Sequence, residues 1–405
     1  MQLWQTNPFK TVNLVKGAGA YVWDEQGKAY LDLLAGCWCN ILGYGHPRFL
    51  AAAEEQIARL PHANKSFPSR ELEAALAKLA EILPPELNRA VLLNTGSEAV
   101  ELALKMAHAA TGSTRVVVND NGYYGATTYT LALSEPGKAL AYLPRLGEAH
   151  RITAPNCAGC AAICHGADNC DFRCLDQLAA LVDNHTPLAA VLYSPVLGNG
   201  IVAPPIGYGQ RLRQLATSAG AMLISEEVTT GLGRTGRWFG YMHEQIIPDI
   251  LVIGKAIGAG LPVAAVVTTT EVQERCRGVF GAHVQSHQND PLSGRLAATV
   301  IEIMQDERLV EQADARGQYF REGLRQLQSA GVADVRGRGL MIGATLNPGL
   351  ANLGPSINQA LLQRGFIVDW QATTATFRFF PPYVISEPEI DSFLEAFREV
   401  LRSAL

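Results

Sequence analysis

At 405 residues the chain is too long for one simple core, and two packed units are expected, the larger built on the main sheet. Apolar residues make up 48% and charged ones 18%, the balance of a well-buried enzyme. A formal net charge of −5 with no basic run argues against nucleic acid as a partner, and no uninterrupted apolar span is long enough for a membrane helix. Met1 to Lys10 is polar, carries Pro8 and lacks an apolar h-region, so the expected compartment is the cytoplasm.

Val22 to Leu34 reads as a small antiparallel region turning at Asp24-Glu25-Gln26-Gly27. Helical patterns follow at Arg48 to Leu60 and Arg70 to Leu83, the second stopped by Pro84-Pro85. Ala90 to Leu93 is an apolar strand and Glu98 to Ala110 a helix. The short apolar runs Val116 to Val118, Ala189 to Tyr193, Ala221 to Ile224, Ile250 to Ile253 and Val263 to Thr268 suit strands buried on both faces of a mostly parallel sheet. With helical stretches such as Tyr208 to Ala219 between them, they give the βα rhythm of an open α/β domain. Arg295 to Gln328 is helical in pattern. Strand-like Phe366 to Val368 and Phe377 to Phe380 and a closing helix from Glu387 complete a second α+β unit. Thr153 to Arg173 is the least regular stretch and looks like an insertion.

Three places carry chemistry. Asn94-Thr95-Gly96-Ser97-Glu98-Ala99 follows a strand and opens a helix, where free N–H groups bind anions; the same residues also read as a plain helix cap. Leu223-Ile224-Ser225-Glu226-Glu227 places two carboxylates where a buried strand ends, the usual ligand edge of an open α/β sheet, or else starts a charged loop. Val252-Ile253-Gly254-Lys255 puts a lysine directly after an apolar strand, where desolvation frees its lone pair for an aldehyde. Alone, such a lysine reads as solvent-exposed. In this order, phosphate cradle, strand-end carboxylate and strand-end lysine are the parts that hold pyridoxal 5'-phosphate.

With Gly231-Leu232-Gly233-Arg234-Thr235-Gly236, Pro248-Asp249-Ile250 and Gly254-Lys255-Ala256-Ile257-Gly258-Ala259-Gly260-Leu261-Pro262, the chain resembles the class III aminotransferases. The resemblance runs from Gly19-Ala20-Tyr21-Val22-Trp23-Asp24 and Gly43-Tyr44-Gly45-His46-Pro47 to Phe377-Arg378-Phe379-Phe380-Pro381-Pro382. It implies an α/β protein of fold type I: a large domain with a mostly parallel seven-stranded sheet, a smaller α+β domain from both chain ends, and a homodimer or dimer of dimers with active sites at the interface. On this basis 1–60 is the N-terminal part of the small domain, 61–294 the large cofactor domain with 153–174 as a cysteine-rich insert, and 295–405 the C-terminal part of the small domain.

The resemblance also implies roles. Lys255 would hold the cofactor as a Schiff base and move the substrate proton. Gly96 and Ser97 would give N–H groups to the phosphate. Tyr123, in Tyr123-Tyr124-Gly125, would stack on the pyridine ring, with Val228 against its other face. Arg378 would bind the substrate α-carboxylate. Ser286, in Ser286-His287-Gln288-Asn289-Asp290-Pro291-Leu292, would meet the phosphate from the partner subunit; that string most resembles dialkylglycine decarboxylase and its relatives.

Three positions depart from the family pattern. Glu226 stands where Asp-Glu-Val would place the aspartate facing the pyridine nitrogen, with Glu227 as the rival carboxylate. Alternation along a strand sends the two to opposite faces, and the resemblance, aligned on Val228 and Gly231, selects Glu226. Ser194 stands where Glu-Pro-Val has its glutamate, a residue that often neutralises a site arginine between half-reactions. Cys37, in Ala35-Gly36-Cys37-Trp38-Cys39, falls where dialkylglycine decarboxylase has a glutamine that positions its scissile carboxylate. Cys37 and Trp38 therefore belong to the candidate substrate side, although Cys37 and Cys39 also read as small apolar filling.

The cluster Cys157, Cys160, Cys164, His165, Cys170 and Cys174 fits no zinc spacing and reads as reduced structural thiols, so no metal is expected. Trp238-Phe239 reads as packing. The expected activity is amino-group transfer between an amino acid or amine and a 2-oxo acid. Racemisation or a decarboxylating transamination would use the same cofactor, and a non-catalytic cofactor-binding protein is the reading from another class.

Overall fold

A computed structural model describes residues 11–140, 149–155, 170–278 and 283–404. Cys157, Cys160, Cys164 and His165 lie outside them; Cys174 is buried and Cys170 partly so. The strands are β1 Leu14–Ala18, β2 Tyr21–Asp24, β3 Ala29–Asp32, β4 Arg89–Leu93, β5 Val116–Asn119, β6 Ala149–Ile152, β7 Ala190–Tyr193, β8 Met222–Glu227, β9 Ile250–Ile253, β10 Ala264–Thr268, β11 Val332–Arg338, β12 Met341–Leu346, β13 Phe366–Ile367, β14 Asp369–Gln371 and β15 Thr376–Phe379.

The central sheet has seven strands in the order β4-β10-β9-β8-β7-β5-β6. Pairing is parallel except for β10, which runs antiparallel to both β4 and β9. Every residue of β5, β7, β8, β9 and β10 is buried. Alternate residues face opposite layers: Val117, Val191, Leu223 and Leu251 enter one core cluster, and Val118, Leu192, Ile224 and Val252 the other. This two-sided burial is why the strands read as continuous apolar runs rather than as alternating ones. The antiparallel Val22 to Leu34 region is β2 and β3, and the turn is held by Asp24, which accepts the N–H groups of Gln26 and Lys28 at 3.0 and 2.9 Å.

Both ends of the chain meet in one four-stranded sheet, β1-β2-β3-β13, where β13 pairs in parallel with β3. A second small sheet, β11-β12-β15-β14, is antiparallel throughout. The helical stretch expected over Arg295 to Gln328 is two helices, Pro291–Asp306 and Leu309–Arg325, broken at Arg308, whose φ of 53° is left-handed. No helix among the described residues is long and apolar enough to cross a membrane.

The β11–β12 turn docks the C-terminal sheet onto the helix Leu309–Arg325 through glycine contacts. A Cβ on Gly317 would lie 2.0 Å from the carbonyl oxygen of Gly339, and one on Gly339 2.5 Å from the backbone N of Gly236. Backbone cannot swing aside as a side-chain tip can, so Gly317→Ala should lower unfolding stability by about 3 kcal/mol. Urea denaturation checks this; a midpoint equal to that of the unmodified chain would mean that the helix moves away freely.

Candidate active site

The site forms at the carboxyl ends of β7, β8 and β9 and at the helix start that follows β4. The helix Gly96–Thr111 opens with a capping box: Thr95 Oγ1 accepts the Glu98 N–H at 3.2 Å, and the Glu98 carboxylate accepts the Thr95 N–H at 3.0 Å. Gly96 and Ser97 occupy the first turn, where N–H groups have no intrahelical acceptor. Ser97 Oγ accepts the Ala126 N–H at 3.0 Å, which brings the 121–127 loop onto this helix start. On that loop Tyr123 is half exposed, its phenol pushed up chiefly by burial and then by the charges of Cys37 and Glu226.

Val228 packs between two glycines. A Cβ on Gly96 would come within 2.7 Å of its Cγ1, and one on Gly254 within 3.0 Å. Beyond Gly254, Lys255 takes a left-handed φ of 43° that turns its amine back over the strand ends. Its Nζ donates to Thr229 Oγ1 at 2.6 Å. Burial lowers the Lys255 pKa, opposed first by the negative charge of Glu226. Thr229 was not a sequence-level candidate; only its place directly after Val228 pointed to it.

The two adjacent glutamates separate as alternation requires. Glu227 is spent on structure: it accepts the N–H groups of Gly240 and Tyr241 at 2.7 and 2.8 Å and the hydroxyl of Thr230 at 2.8 Å. Burial pushes its pKa up, to about 7, against those bonds. Glu226 stays beside Lys255. Its Oε2 accepts the Ser194 hydroxyl at 3.1 Å and its Oε1 the Val228 N–H at 3.2 Å. Burial raises the Glu226 pKa, with Lys255 as the strongest opposing influence.

Trp38 forms the opposite wall. Asp32 shapes its loop by accepting the N–H groups of Leu34 and Gly36 at 2.9 and 2.7 Å and the Tyr44 hydroxyl at 2.6 Å. Gly36 and Trp38 then adopt φ values of 69° and 65°. The Trp38 indole stacks on Phe380 at 4.3 Å, with Lys255 Nζ 4.7 Å and Arg378 Cζ 5.2 Å from its ring centroid. The same kink leaves Cys37 exposed, so it is not the apolar filling expected from its size. Cys39 is partly buried and donates through Sγ to the Cys37 carbonyl at 3.1 Å. Phe239 is fully buried, as packing requires.

Arg378 is already paired. Asp369, its register partner across β14 and β15, accepts from Nε at 2.6 Å and also from Nη2, and the Gly198 carbonyl accepts from Nη1 at 2.9 Å. The carboxylate that pairs with Arg378 is thus Asp369, and the Ser194 hydroxyl donates to Glu226. Ser286 is exposed beside the same helix start: Gln285 donates to Glu98 at 3.0 Å, and the His287 carbonyl accepts from Asn94 at 3.5 Å. Nearby, buried Asp290 bonds His62 Nδ1 and His287 Nδ1 at 2.5 and 2.7 Å, a group with potential ligand atoms within 4.8 Å of one another.

The family model of class III aminotransferases matches residues 3–401, and the chain belongs to that family. It is 32% identical to an acetylornithine aminotransferase of Mycobacterium leprae, over 100% of this chain and 95% of the relative. It is 35% identical to the [LysW]-aminoadipate semialdehyde transaminase of Deinococcus radiodurans, covering 97% of this chain and 86% of the relative. Among solved structures, an (S)-enantioselective omega-transaminase from Thermomicrobium roseum superposes with a TM-score of 0.90 at 28% identity, covering 99% of this chain and 97% of that one. The ornithine aminotransferase of Toxoplasma gondii, described with pyridoxal phosphate at its active site, gives a TM-score of 0.86 at 27% identity, covering 98% and 91%. The fold is fold type I, and the protein is a pyridoxal-phosphate-dependent aminotransferase.

One consequence concerns Lys255 alone. An amine whose pKa is lowered by burial is nucleophilic at a pH where surface lysines are still protonated. In protein stripped of cofactor, Lys255 should react with acetic anhydride at lower pH than the exposed lysines, read by peptide mass. Glu226→Gln should move its half-labelling pH lower still, because the lost negative charge favoured the protonated amine. Labelling at or above the pH of ordinary lysines would contradict this.

Proposed function

We propose that the chain transfers an amino group from a donor whose reacting carbon bears no carboxylate to a 2-oxo acid. The observation that carries this is the pairing of Arg378 with Asp369 beside the ring that Lys255 also meets. A guanidinium neutralised from within the chain tolerates a neutral donor, yet an incoming α-carboxylate can compete for it. Names among the relatives, ornithine, acetylornithine, a semialdehyde and omega-transaminase, agree with such donors.

The residues fit pyridoxal phosphate. Gly96 and Ser97 supply first-turn N–H groups, which have no intrahelical acceptor, for a phosphate dianion. Val228 offers an apolar surface against one face of a ring and Tyr123 an exposed aromatic for the other. The bound cofactor supplies the carbonyl that Lys255 attacks and the conjugated ring that takes up electrons from the substrate. Lys255 takes and returns the substrate proton, for which a depressed pKa suits it. Glu226 places a buried negative charge to hold a proton on the ring nitrogen. Thr229 orients the Lys255 amine, and Trp38 with Arg378 fixes the substrate opposite it. Ser286 is exposed, and by the family resemblance it would meet the phosphate of the partner subunit in a homodimer.

The string from Ser286 to Leu292 resembles dialkylglycine decarboxylase, but exposed Cys37 offers no amide donor for a scissile carboxylate. Amino transfer without loss of carbon dioxide is therefore the reading taken. Incubation with a panel of amines and ω-amino acids plus a 2-oxo acid should yield a new amino acid and a carbonyl product, with no carbon dioxide. Release of carbon dioxide, or inversion of chirality without carbonyl product, would overturn it.

Arg378→Ala should cost about 2–5 kcal/mol in 2-oxo acid binding, much of it from an unpaired carboxylate. Asp369→Asn should lower the KM for the 2-oxo acid and raise that for the neutral donor. Equal KM values for both substrates before and after Asp369→Asn would show that Arg378 has another task.

A further inference from the structure

We infer that Ser194 is a positioning residue for Glu226, so that the two departures from the family pattern form one coupled device. Ser194 follows β7 and Glu226 lies near the end of β8, in parallel strands registered Tyr193 to Ser225, which sets the two side chains next to each other. Both are buried, 5% and 9% exposed, and the hydroxyl donates to Oε2 at 3.1 Å. With the Val228 N–H on Oε1 at 3.2 Å, each carboxylate oxygen has one fixed donor within the chain. A carboxylate held at both oxygens is restrained from rotating, and each oxygen keeps further capacity to accept a hydrogen bond.

The substitution is also matched in size and charge. Glu226 has one methylene more than aspartate, and serine at 194 leaves it room. A glutamate at 194 would bring a second buried carboxylate against Glu226, whose cationic neighbour is Lys255. Among the described residues, the phenols of Tyr123 and Tyr124 and the amine of Lys255 feel the charge of Glu226.

The inference deepens the proposed role of Glu226 and rests on it. Its test uses the full chain with two readouts: the pH dependence of kcat/KM, and the Kd of pyridoxal phosphate for the stripped protein by fluorescence quenching. Ser194→Ala removes a donor to the charged form, so the acidic limb should move to higher pH and the Kd should rise at least about threefold. Ser194→Thr, which keeps the hydroxyl, should restore both. Ser194→Glu should weaken cofactor binding strongly, and Ser194→Glu with Glu226→Asp should recover much of the loss, so that the two changes do not simply multiply.

Unchanged limb and Kd in Ser194→Ala would overturn the inference. So would a lower Tm with an unmoved acidic limb and no rescue by threonine, or strictly multiplicative effects in the double variant. If the unmodified chain transfers no amino group, the cofactor-binding readout still reports on Ser194, which separates this failure from that of the proposed function.

Discussion

Val228 sits where a helix start, the end of β8 and the end of β9 converge, and they can converge only because Gly96 and Gly254 carry no side chain. A Cβ on either glycine would press within 2.7 to 3.0 Å of the valine methyls. This contact sets the distance between the first-turn N–H groups of the helix, the carboxylate of Glu226 and the amine of Lys255. A larger residue at either glycine would open the cradle on the phosphate side or move the lysine off the strand ends. Lys255, with its left-handed φ, belongs to the same arrangement, and its amine donates to Thr229 just beyond the end of β8.

Charge is handled locally. Lys255 and Arg378 each have a carboxylate from a neighbouring strand or strand end, Glu226 for the first and Asp369 for the second. Glu226 is buried, so removing the charge of Lys255 would leave it a desolvated, unpaired carboxylate, whereas Arg378 and Asp369 keep partial access to solvent. Pairing within the chain keeps the site stable before substrate arrives, while Trp38, against both cations, adds a polarisable wall that binds charge without neutralising it.

Much of this was legible in the sequence because buried parallel strands announce themselves as apolar runs and the chemistry sits at their ends. Gly96, Lys255 and Glu226 stood out because they lie in order at strand ends, and the family resemblance gave them their roles; alternation separated Glu226 from Glu227, and the family alignment chose between them. What stayed hidden was long-range or polar. The edge strand Ala149–Ile152 contains His150 and Arg151 and has no apolar run to betray it. Asp369 lies in a three-residue strand, and only the hairpin register reveals that it faces Arg378. The bond from Ser194 to Glu226 joins residues 32 apart whose neighbourhood depends on strand order. Cys37 misled through size: the left-handed turn at Gly36 decides its exposure, and composition carries no trace of that.

The central claim is that this geometry makes Lys255 the covalent anchor of pyridoxal phosphate. Borohydride reduction of the yellow protein followed by peptide mapping measures it directly. The pyridoxyl mass should appear on the peptide containing Gly254-Lys255-Ala256 and on no other. A label on a different lysine, or a yellow protein that loses all its cofactor after reduction, would contradict it.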